Sequence, residues 1–287
     1  MKQQAVHYFP GHMQKALRKV ESFISLVDIV IELVDARAPL SSRNPLLTGL
    51  NPAKPRLILL SKDDMADEAV TRLWVDYFRQ SGIQCVSANL KKGKLLGLLS
   101  SSVDKAIYAK REKEKRLGMK RQPAKAMVIG IPNVGKSTLI NSLASRRAAN
   151  VGNKAGITRA EQWIKLSDDF ILLDTPGILP MNYPTPEQAV RLALLGSMRE
   201  DVMPNDELSE RLLSFLRSNY PNSLQNRFGI EDISSLPDEE ILQSIAKRRG
   251  LLENGEPSSA KASYLLLKEF KDGILGRISL ERPDDAR

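Results

Sequence analysis

The chain has 287 residues, 42% of them hydrophobic and 27% charged, so it is long enough for two domains and has an ordinary globular composition. No apolar run approaches the roughly 18 residues of a membrane helix, and the single cysteine, Cys85, excludes an internal disulfide framework. The first eight residues lack the apolar core of a secretory signal, so we expect a cytoplasmic protein without a membrane partner.

The net charge of +9 is distributed unevenly along the chain. Residues 1–180 contain 29 Lys/Arg against 16 Asp/Glu, whereas residues 181–287 contain 14 against 18. Residues 104–125 alone contain nine basic and three acidic side chains. A solvated helical linker would explain this one cluster equally well. A surplus spread over the N-terminal half instead favours a polyanionic partner, and nucleic-acid phosphates are the commonest one.

In the N-terminal half, predicted strands alternate with predicted helices. Buried strands are predicted over residues 29–34, 56–60, 83–86 and 126–129. Apolar spacing and turn residues predict helices over 12–26 and 68–80 and from residue 136, and an antiparallel strand pair over 162–166 and 170–173. This alternation predicts an α/β fold with a mostly parallel sheet, which binds its ligands beyond the carboxyl ends of the strands.

Beyond residue 179 the pattern becomes helical. Thr185, Pro186 and Gln188 form a helix start, with a capping hydroxyl, a proline at the first helical position and a glutamine at the third. Further helices are predicted over 206–218, 237–249 and 259–271. We therefore expect an α/β domain over residues 1–180, with the basic linker of about 104–125 inside it, followed by a small all-helical domain over 181–287.

The sequence at 130–137, Gly-Ile-Pro-Asn-Val-Gly-Lys-Ser, matches the P-loop pattern in full and lies between a predicted strand and a predicted helix. Its backbone N–H groups and the positive end of the helix bind phosphates. We expect the lysine to reach the β- and γ-phosphates and the serine to ligate Mg²⁺. The predicted phosphate-binding residues are Asn133, Val134, Gly135, Lys136, Ser137 and Thr138.

Three residues after the P-loop are candidates for sensing the γ-phosphate. Asp174 follows the predicted strand at 170–173 and would hold Mg²⁺ through water, while the N–H of Gly177 would contact the γ-phosphate. An Asp-x-x-Gly sequence is also a common turn. Thr158, in the polar loop between the two motifs, is the candidate switch residue and Mg²⁺ ligand, with an ordinary loop threonine as the alternative.

Two short motifs at strand ends predict a guanine site. Asp64 offers a carboxylate that accepts hydrogen bonds from the guanine N1–H and exocyclic amine, groups that adenine does not present in this way, and Lys62 lays its stem along the purine. Ser-Lys-Asp-Asp is alternatively a helix cap. A backbone N–H of the second motif would bind the guanine oxygen. The predicted guanine-binding residues are Ser61, Lys62, Asp64, Ser87, Ala88 and Asn89.

The order of these motifs differs from that in ordinary small GTPases, which place the P-loop first and the base-recognition motifs last. Here the base motifs precede the P-loop and the switch motifs follow it, so the chain resembles a circularly permuted P-loop GTPase. The sequences Tyr-Phe-Pro-Gly-His-Met-Gln-Lys-Ala at 8–16, Asp-Ala-Arg at 35–37 and Ser-Arg-Asn-Pro at 42–45 resemble the YlqF/RbgA family of ribosome-assembly GTPases. The resemblance covers roughly residues 5–180.

The resemblance implies a GTPase that binds GTP and GDP with Mg²⁺ and commonly K⁺, and that acts late in maturation of the large ribosomal subunit. It implies a partner in the large-subunit precursor and its rRNA, and we expect a monomer. Ile178 stands where many GTPases carry a water-orienting glutamine, and the resemblance gives that role to His12. Asn133 matches a K⁺ ligand of related GTPases, whereas Ser61 replaces the usual asparagine of the base motif.

Two other functions fit the same motifs. One is an RNA-binding assembly scaffold in which the nucleotide is only a ligand, and the other is a P-loop ATPase. Because the motifs contain neither a glutamine nor an arginine finger, we expect slow GTP hydrolysis that a ribosomal partner stimulates.

Overall fold

The structure, a computed structural model, describes residues 11–92, 94–151, 163–173, 185–198 and 203–286. Its main sheet has six strands in the order β3-β2-β1-β4-β6-β5, and only β5 runs antiparallel to its neighbour. The strands are β1 (Ile29–Asp35), β2 (Arg56–Ser61), β3 (Gln84–Ala88), β4 (Ala124–Ile129), β5 (Trp163–Ser167) and β6 (Phe170–Leu173). The α/β fold and the antiparallel pair predicted from the sequence are confirmed.

Helices cover both faces of this sheet. They are α1 (Gly11–Ile24), α2 (Pro45–Thr48), α3 (Glu68–Gln80), α4 (Leu95–Ala106), α5 (Tyr108–Arg116) and α6 (Lys136–Val151). Every residue of β1 is buried, because Ile31 and Leu33 pack into the core on one face while Val30 and Val34 pack on the other. This two-sided burial explains why β1 appears in the sequence as a continuous apolar run.

The C-terminal part contains α7 (Pro186–Leu194), α8 (Asn205–Asn219), α9 (Asn222–Phe228), α10 (Asp238–Arg249) and α11 (Ser259–Lys271), followed by a 3₁₀ turn (Pro283–Ala286). The predicted helix start is confirmed, since the Thr185 side chain accepts from the Gln188 N–H. Helix α9 and a hairpin of β7 (Leu252–Glu253) and β8 (Glu256–Pro257) were not predicted, so the domain is not purely helical.

The helical part packs around its own apolar core, whose fully buried members include Leu212, Leu216, Ile245 and Leu266. Leu192 of α7 belongs instead to the core of the α/β part, so this helix contributes to both. The predicted domain boundary after residue 180 lies outside the described residues and stays a prediction. Among the residues that the structure describes, no helix is both long and apolar enough to span a lipid bilayer.

Candidate functional site

The P-loop connects the buried end of β4 to the first turn of α6, as its sequence predicts. A side chain at Gly130 would place its Cβ 2.7 Å from the Leu33 carbonyl oxygen, so the loop can pass β1 only with glycine there. Asn133 and Gly135 have φ values of 59° and 108°, which turn the backbone back on itself. Val134 is buried and anchors the loop in the core. The loop therefore has the conformation that lets backbone N–H groups converge on a phosphate.

The polar side chains of the loop project from this frame. The Lys136 Nζ donates to the carbonyl oxygens of Gly130 and Ile131 at 3.1 and 3.0 Å, which holds the ammonium against the loop. Ser137 is exposed and Thr138 half-buried in the first turn of α6. Lys136 and Ser137 thus lie at the N-terminal end of this helix, where the helix dipole favours an anion.

Ser61, the last residue of β2, joins the base motif to the P-loop. It is fully buried, and its hydroxyl lies 2.7 Å from the Val134 carbonyl oxygen and 3.0 Å from that of Val34. A serine in this position therefore serves as a tether between two loops, and its predicted contact with a guanine base stays a prediction. The remaining residues of the motif lie beyond the strand, at the same edge of the sheet as the P-loop.

Lys62 adopts a φ of 56°, and its Nζ lies 2.9 Å from the Asp35 carboxylate. The Asp64 side chain is exposed and lines a cavity of about 740 Å³ together with Ser87, Ala88 and Asn89. The structure thus brings the two predicted base motifs together around one open cavity. A cavity of this size is in the range of small-molecule sites.

The second base motif is held by its own backbone. Ser87 and Ala88 are the last two residues of β3, and the Asn89 Oδ1 accepts from the Lys91 N–H at 2.9 Å, which fixes the turn that follows. Burial, followed by the neighbouring Asp64 carboxylate, raises the pKa of Asp63, while a hydrogen bond from Ser87 lowers it. The two motifs are neighbours in the sheet, because Ser61 at the end of β2 is the register partner of Ala88 at the end of β3.

Asp35 at the end of β1 supports Lys62 from inside the protein. Its fully buried carboxylate accepts from the Arg37 Nε and Nη2 at 3.0 and 2.9 Å and from the Arg37 N–H at 3.0 Å. Burial alone would raise the pKa of Asp35, but the charges of Arg37 and Lys62 hold it well below its usual range. Asp35 and Arg37 were predicted only as part of a family resemblance, because neither lies in a nucleotide motif.

The remaining predicted residues are covered only in part. Thr158, Asp174, Gly177 and Ile178 lie outside the described residues. The described backbone of α1 includes His12. Because only residues 25–28 separate α1 from β1 and α1 packs on the sheet, the helix runs back along β1, and its first turn lies toward the nucleotide edge.

The chain was compared with known proteins. Residues 125–218 match the family described as 50S ribosome-binding GTPase. The chain is 38% identical to ribosome biogenesis GTPase A of Bacillus cereus over 98% of this chain and 95% of the relative. It is 39% identical to the protein of the same name from Priestia megaterium over 98% of each. A crystal structure of GNP-bound YlqF from Thermotoga maritima matches with a TM-score of 0.66 and 30% identity, over 94% of this chain and 99% of that chain.

Proposed function

This chain belongs to the ribosome biogenesis GTPase A family, and we propose that it is a GTP-hydrolysing assembly factor of the large ribosomal subunit. The proposal that the chain binds GTP rests on one observation: the P-loop and the two base motifs lie at the same edge of the sheet. There, the Ser61 hydroxyl contacts the P-loop carbonyl of Val134, and the cavity beside it is lined by both base motifs. The P-loop and the first base motif are thereby held at a fixed distance from one another.

Guanine rather than adenine is the base that fits this cavity. The exposed Asp64 carboxylate is an acceptor for two N–H groups, and guanine presents them as N1–H and the exocyclic amine. Lys62, held at its Nζ by Asp35, is the proposed contact to the face of the purine through its aliphatic stem. ATP binding as tight as GTP binding in a competition assay would refute this assignment and favour the ATPase alternative.

The donors of the P-loop fit a Mg²⁺-bound triphosphate. Lys136 supplies a positive charge and Ser137 a hydroxyl ligand, and we expect Thr158 and a water held by Asp174 to complete the Mg²⁺ shell. Bound Mg²⁺ would neutralise charge on the β- and γ-phosphates. The N–H of Gly177 is the proposed contact to the γ-phosphate.

Asn133 is the proposed K⁺ ligand through its side-chain oxygen. Its Nδ2 donates to the Gly196 carbonyl oxygen at 2.6 Å, which orients the amide and leaves the Oδ1 for a cation. GTP turnover in K⁺ that exceeds turnover in Na⁺ would support this role, and equal rates would contradict it.

His12 is the proposed group that orients the attacking water, since Ile178 has no polar side chain for this task. An imidazole forms hydrogen bonds to water at neutral pH, and such groups contribute roughly 10²- to 10⁴-fold to rate. We expect His12→Ala to lower GTP turnover at least a hundredfold on ribosomal particles, with nucleotide affinity unchanged. Unchanged turnover would instead favour the scaffold function, which the family assignment disfavours.

Helix α5 is the proposed rRNA contact. One side of it is fixed to the protein, because Lys110 pairs with Asp28 at 2.6 Å and Arg111 pairs with Asp104 and Glu114 at 2.8 Å. Within the described part of the chain, four exposed cations of α4 and α5 have no ion-pair partner: Lys105, Lys113, Lys115 and Arg116. Exposed cations without an ion-pair partner suit a phosphate backbone.

The rRNA contact is tested by charge reversal. We expect Lys113→Glu/Arg116→Glu to weaken binding to large-subunit precursors and to lower the slope of log affinity against log salt by about one unit per lost phosphate contact. The matched control, Arg211→Glu/Lys247→Glu, makes the same charge change at exposed positions of the helical part. An equal loss in both variants, or in neither, would refute the assignment to α5.

A further inference from the structure

A segment near the C-terminus lies along the loop that carries the guanine-recognition carboxylate. We call residues 277–281 the C-terminal strap. The Arg277 Nε donates to the Ala66 carbonyl oxygen at 2.7 Å, and its Nη2 donates to that of Asp63 at 2.8 Å. The Ile278 N–H donates to the Met65 carbonyl oxygen at 2.9 Å. Three carbonyls of the loop are thus bound by two neighbouring residues of the strap.

The loop itself needs such support. It begins at Lys62, whose φ of 56° is unusual for a residue with a side chain, and it has only one internal backbone bond, from the Met65 N–H to the Lys62 carbonyl oxygen. The Asp67 N–H, at its far end, donates to the Ser279 hydroxyl at 3.1 Å, so the strap also fixes the point where α3 begins. The conformation of the loop therefore depends on residues more than 200 positions away.

The strap is anchored beyond the loop as well. The Leu280 N–H donates to the Arg37 carbonyl oxygen at 2.6 Å, and the Glu281 carboxylate accepts from the Leu40 and Ser41 N–H groups at 2.7 and 3.0 Å. The Trp74 indole N–H donates to the Glu281 carbonyl oxygen at 3.1 Å. These bonds attach the strap to α3 and to the segment that follows β1.

Arg277 also acts on the cavity directly. Its side chain is 45% exposed and lines the same cavity as Asp64, Ser87 and Asn89. Burial and the adjacent Asp64 carboxylate raise the pKa of Asp63, and the charge of the Arg277 guanidinium, which also pairs with Glu68 at 3.2 Å, lowers it. No described hydrogen bond or ion pair joins Arg277 to Asp64 itself.

We infer that the C-terminal strap completes the guanine site, with Arg277 as the positioning residue that holds the loop of Asp64 in its binding conformation. This inference rests on the proposed function of the cavity. By reciprocity, guanine nucleotide stabilises the docking of the strap, and a partner that draws the strap away weakens nucleotide binding. The contact thus couples the helical part to the base end of the nucleotide site.

The test compares three variants by nucleotide titration. We expect Arg277→Ala to raise the dissociation constants of GDP and GTP about tenfold, because two charge-assisted bonds to the loop are lost. Arg277→Lys recovers only part of the affinity, because an ammonium does not reproduce the planar fork that bridges two carbonyls. The matched control is Arg282→Ala, which removes an exposed arginine just beyond the strap.

Base discrimination separates positioning from a general loss of structure. Inosine triphosphate lacks the exocyclic amine, so the preference for GTP over it reports how well Asp64 is placed. We expect this preference to fall in Arg277→Ala and to stay at the wild-type value in Arg282→Ala. Wild-type affinity and preference in Arg277→Ala would overturn the inference. A wild-type protein that does not prefer GTP would refute the proposed guanine site itself.

Hydrogen exchange gives a second measurement that needs no variant. The Ile278 N–H bonds to the loop and the Leu280 N–H bonds to the Arg37 carbonyl oxygen just after β1, so their exchange reports strap docking. We expect GDP to slow both in the full-length protein. Exchange rates that GDP leaves unchanged would contradict the coupling, even if the cavity binds guanine.

Discussion

Asp35→Asn tests how much the buried ion network beneath the proposed guanine site contributes to the stability of the fold. It removes one negative charge that faces two cations, Arg37 and Lys62, each within 3.0 Å of the carboxylate. Breaking a fully buried pair costs about 3–5 kcal/mol, because the remaining charge stays desolvated. The Lys62 side chain is 22% exposed, so we expect its ammonium to turn to solvent in the variant. The Arg37 side chain is 1% exposed, so it stays buried and retains only its bonds to the carbonyl oxygens of Phe270 and Lys271. We therefore expect a loss of about 3 kcal/mol in the free energy of unfolding.

The assay is urea denaturation followed by tryptophan fluorescence, since the fully buried Trp74 contacts the C-terminal strap. Arg72→Ala is the control: it breaks an i,i+4 pair with Glu68 whose side chains are 74% and 58% exposed, and such pairs contribute about 0.3–0.5 kcal/mol. A loss below about 1 kcal/mol for Asp35→Asn would refute the view that this carboxylate holds the network together.

The same substitution predicts a pH dependence with a definite sign. The pKa of Asp35 is lowered in the folded protein, so its stabilising contribution is fully present above the unfolded pKa of about 3.9 and is lost as the pH falls below it. Asp35→Asn lacks this contribution at every pH. The stability difference between wild type and variant should therefore be largest near neutral pH and shrink below about pH 4, and a constant difference would contradict the assignment.

Three further measurements test separate parts of the structure. Asp64→Asn should shift nucleotide preference from GTP to xanthosine triphosphate, because an amide pairs with the xanthine oxygen, and retained GTP preference in a competition assay would contradict the guanine assignment. Glu281→Ala should lower unfolding stability by about 2–4 kcal/mol, since it leaves the N–H groups of the half-buried Leu40 and the buried Ser41 without their acceptor; a loss below about 1 kcal/mol would contradict this. Burial raises the pKa of the Cys85 thiol to about 12, so we expect it to react with a disulfide reagent at pH 8 only after unfolding, and rapid labelling of the native protein would contradict its burial.

The strands and the P-loop could be predicted because their determinants are local. β1 is a continuous apolar run, and the glycines at 130 and 135 occupy positions where the backbone approaches β1 or adopts a positive φ. The base motifs were predictable for a related reason, since parallel strands deliver their carboxyl ends to one edge of the sheet. Helix α9 lay in a segment rich in proline, asparagine and serine, whose composition suggested a break between helices.

The contacts between the two halves of the chain could not be predicted in this way. Arg277 has no recognisable motif around it, and its partners at Asp63 and Ala66 are more than 200 residues away. From the sequence, Ser61 could be recognised only as a replacement for the usual asparagine of the base motif. Its function as a tether to Val134 follows only from the distance between two loops that the sequence separates by 73 positions. Such roles depend on packing, which periodicity and motif spacing do not encode.

The permuted order of the motifs explains why the helical part can contact the edge of the sheet where the P-loop and the base motifs lie. The chain must return from the carboxyl end of β3 to the amino end of β4, and α4 and α5 make this crossing. Lys110 pairs with Asp28 just before β1, and Arg121 pairs with Asp169 between β5 and β6, so the crossing is fixed at the amino-terminal edge of the sheet. The connection therefore leaves the opposite edge free for the strap and the Gly196 carbonyl. The helical part thus contacts the P-loop through Gly196 and the loop of Asp64 through Arg277, and we expect both contacts to couple it to the proposed nucleotide site.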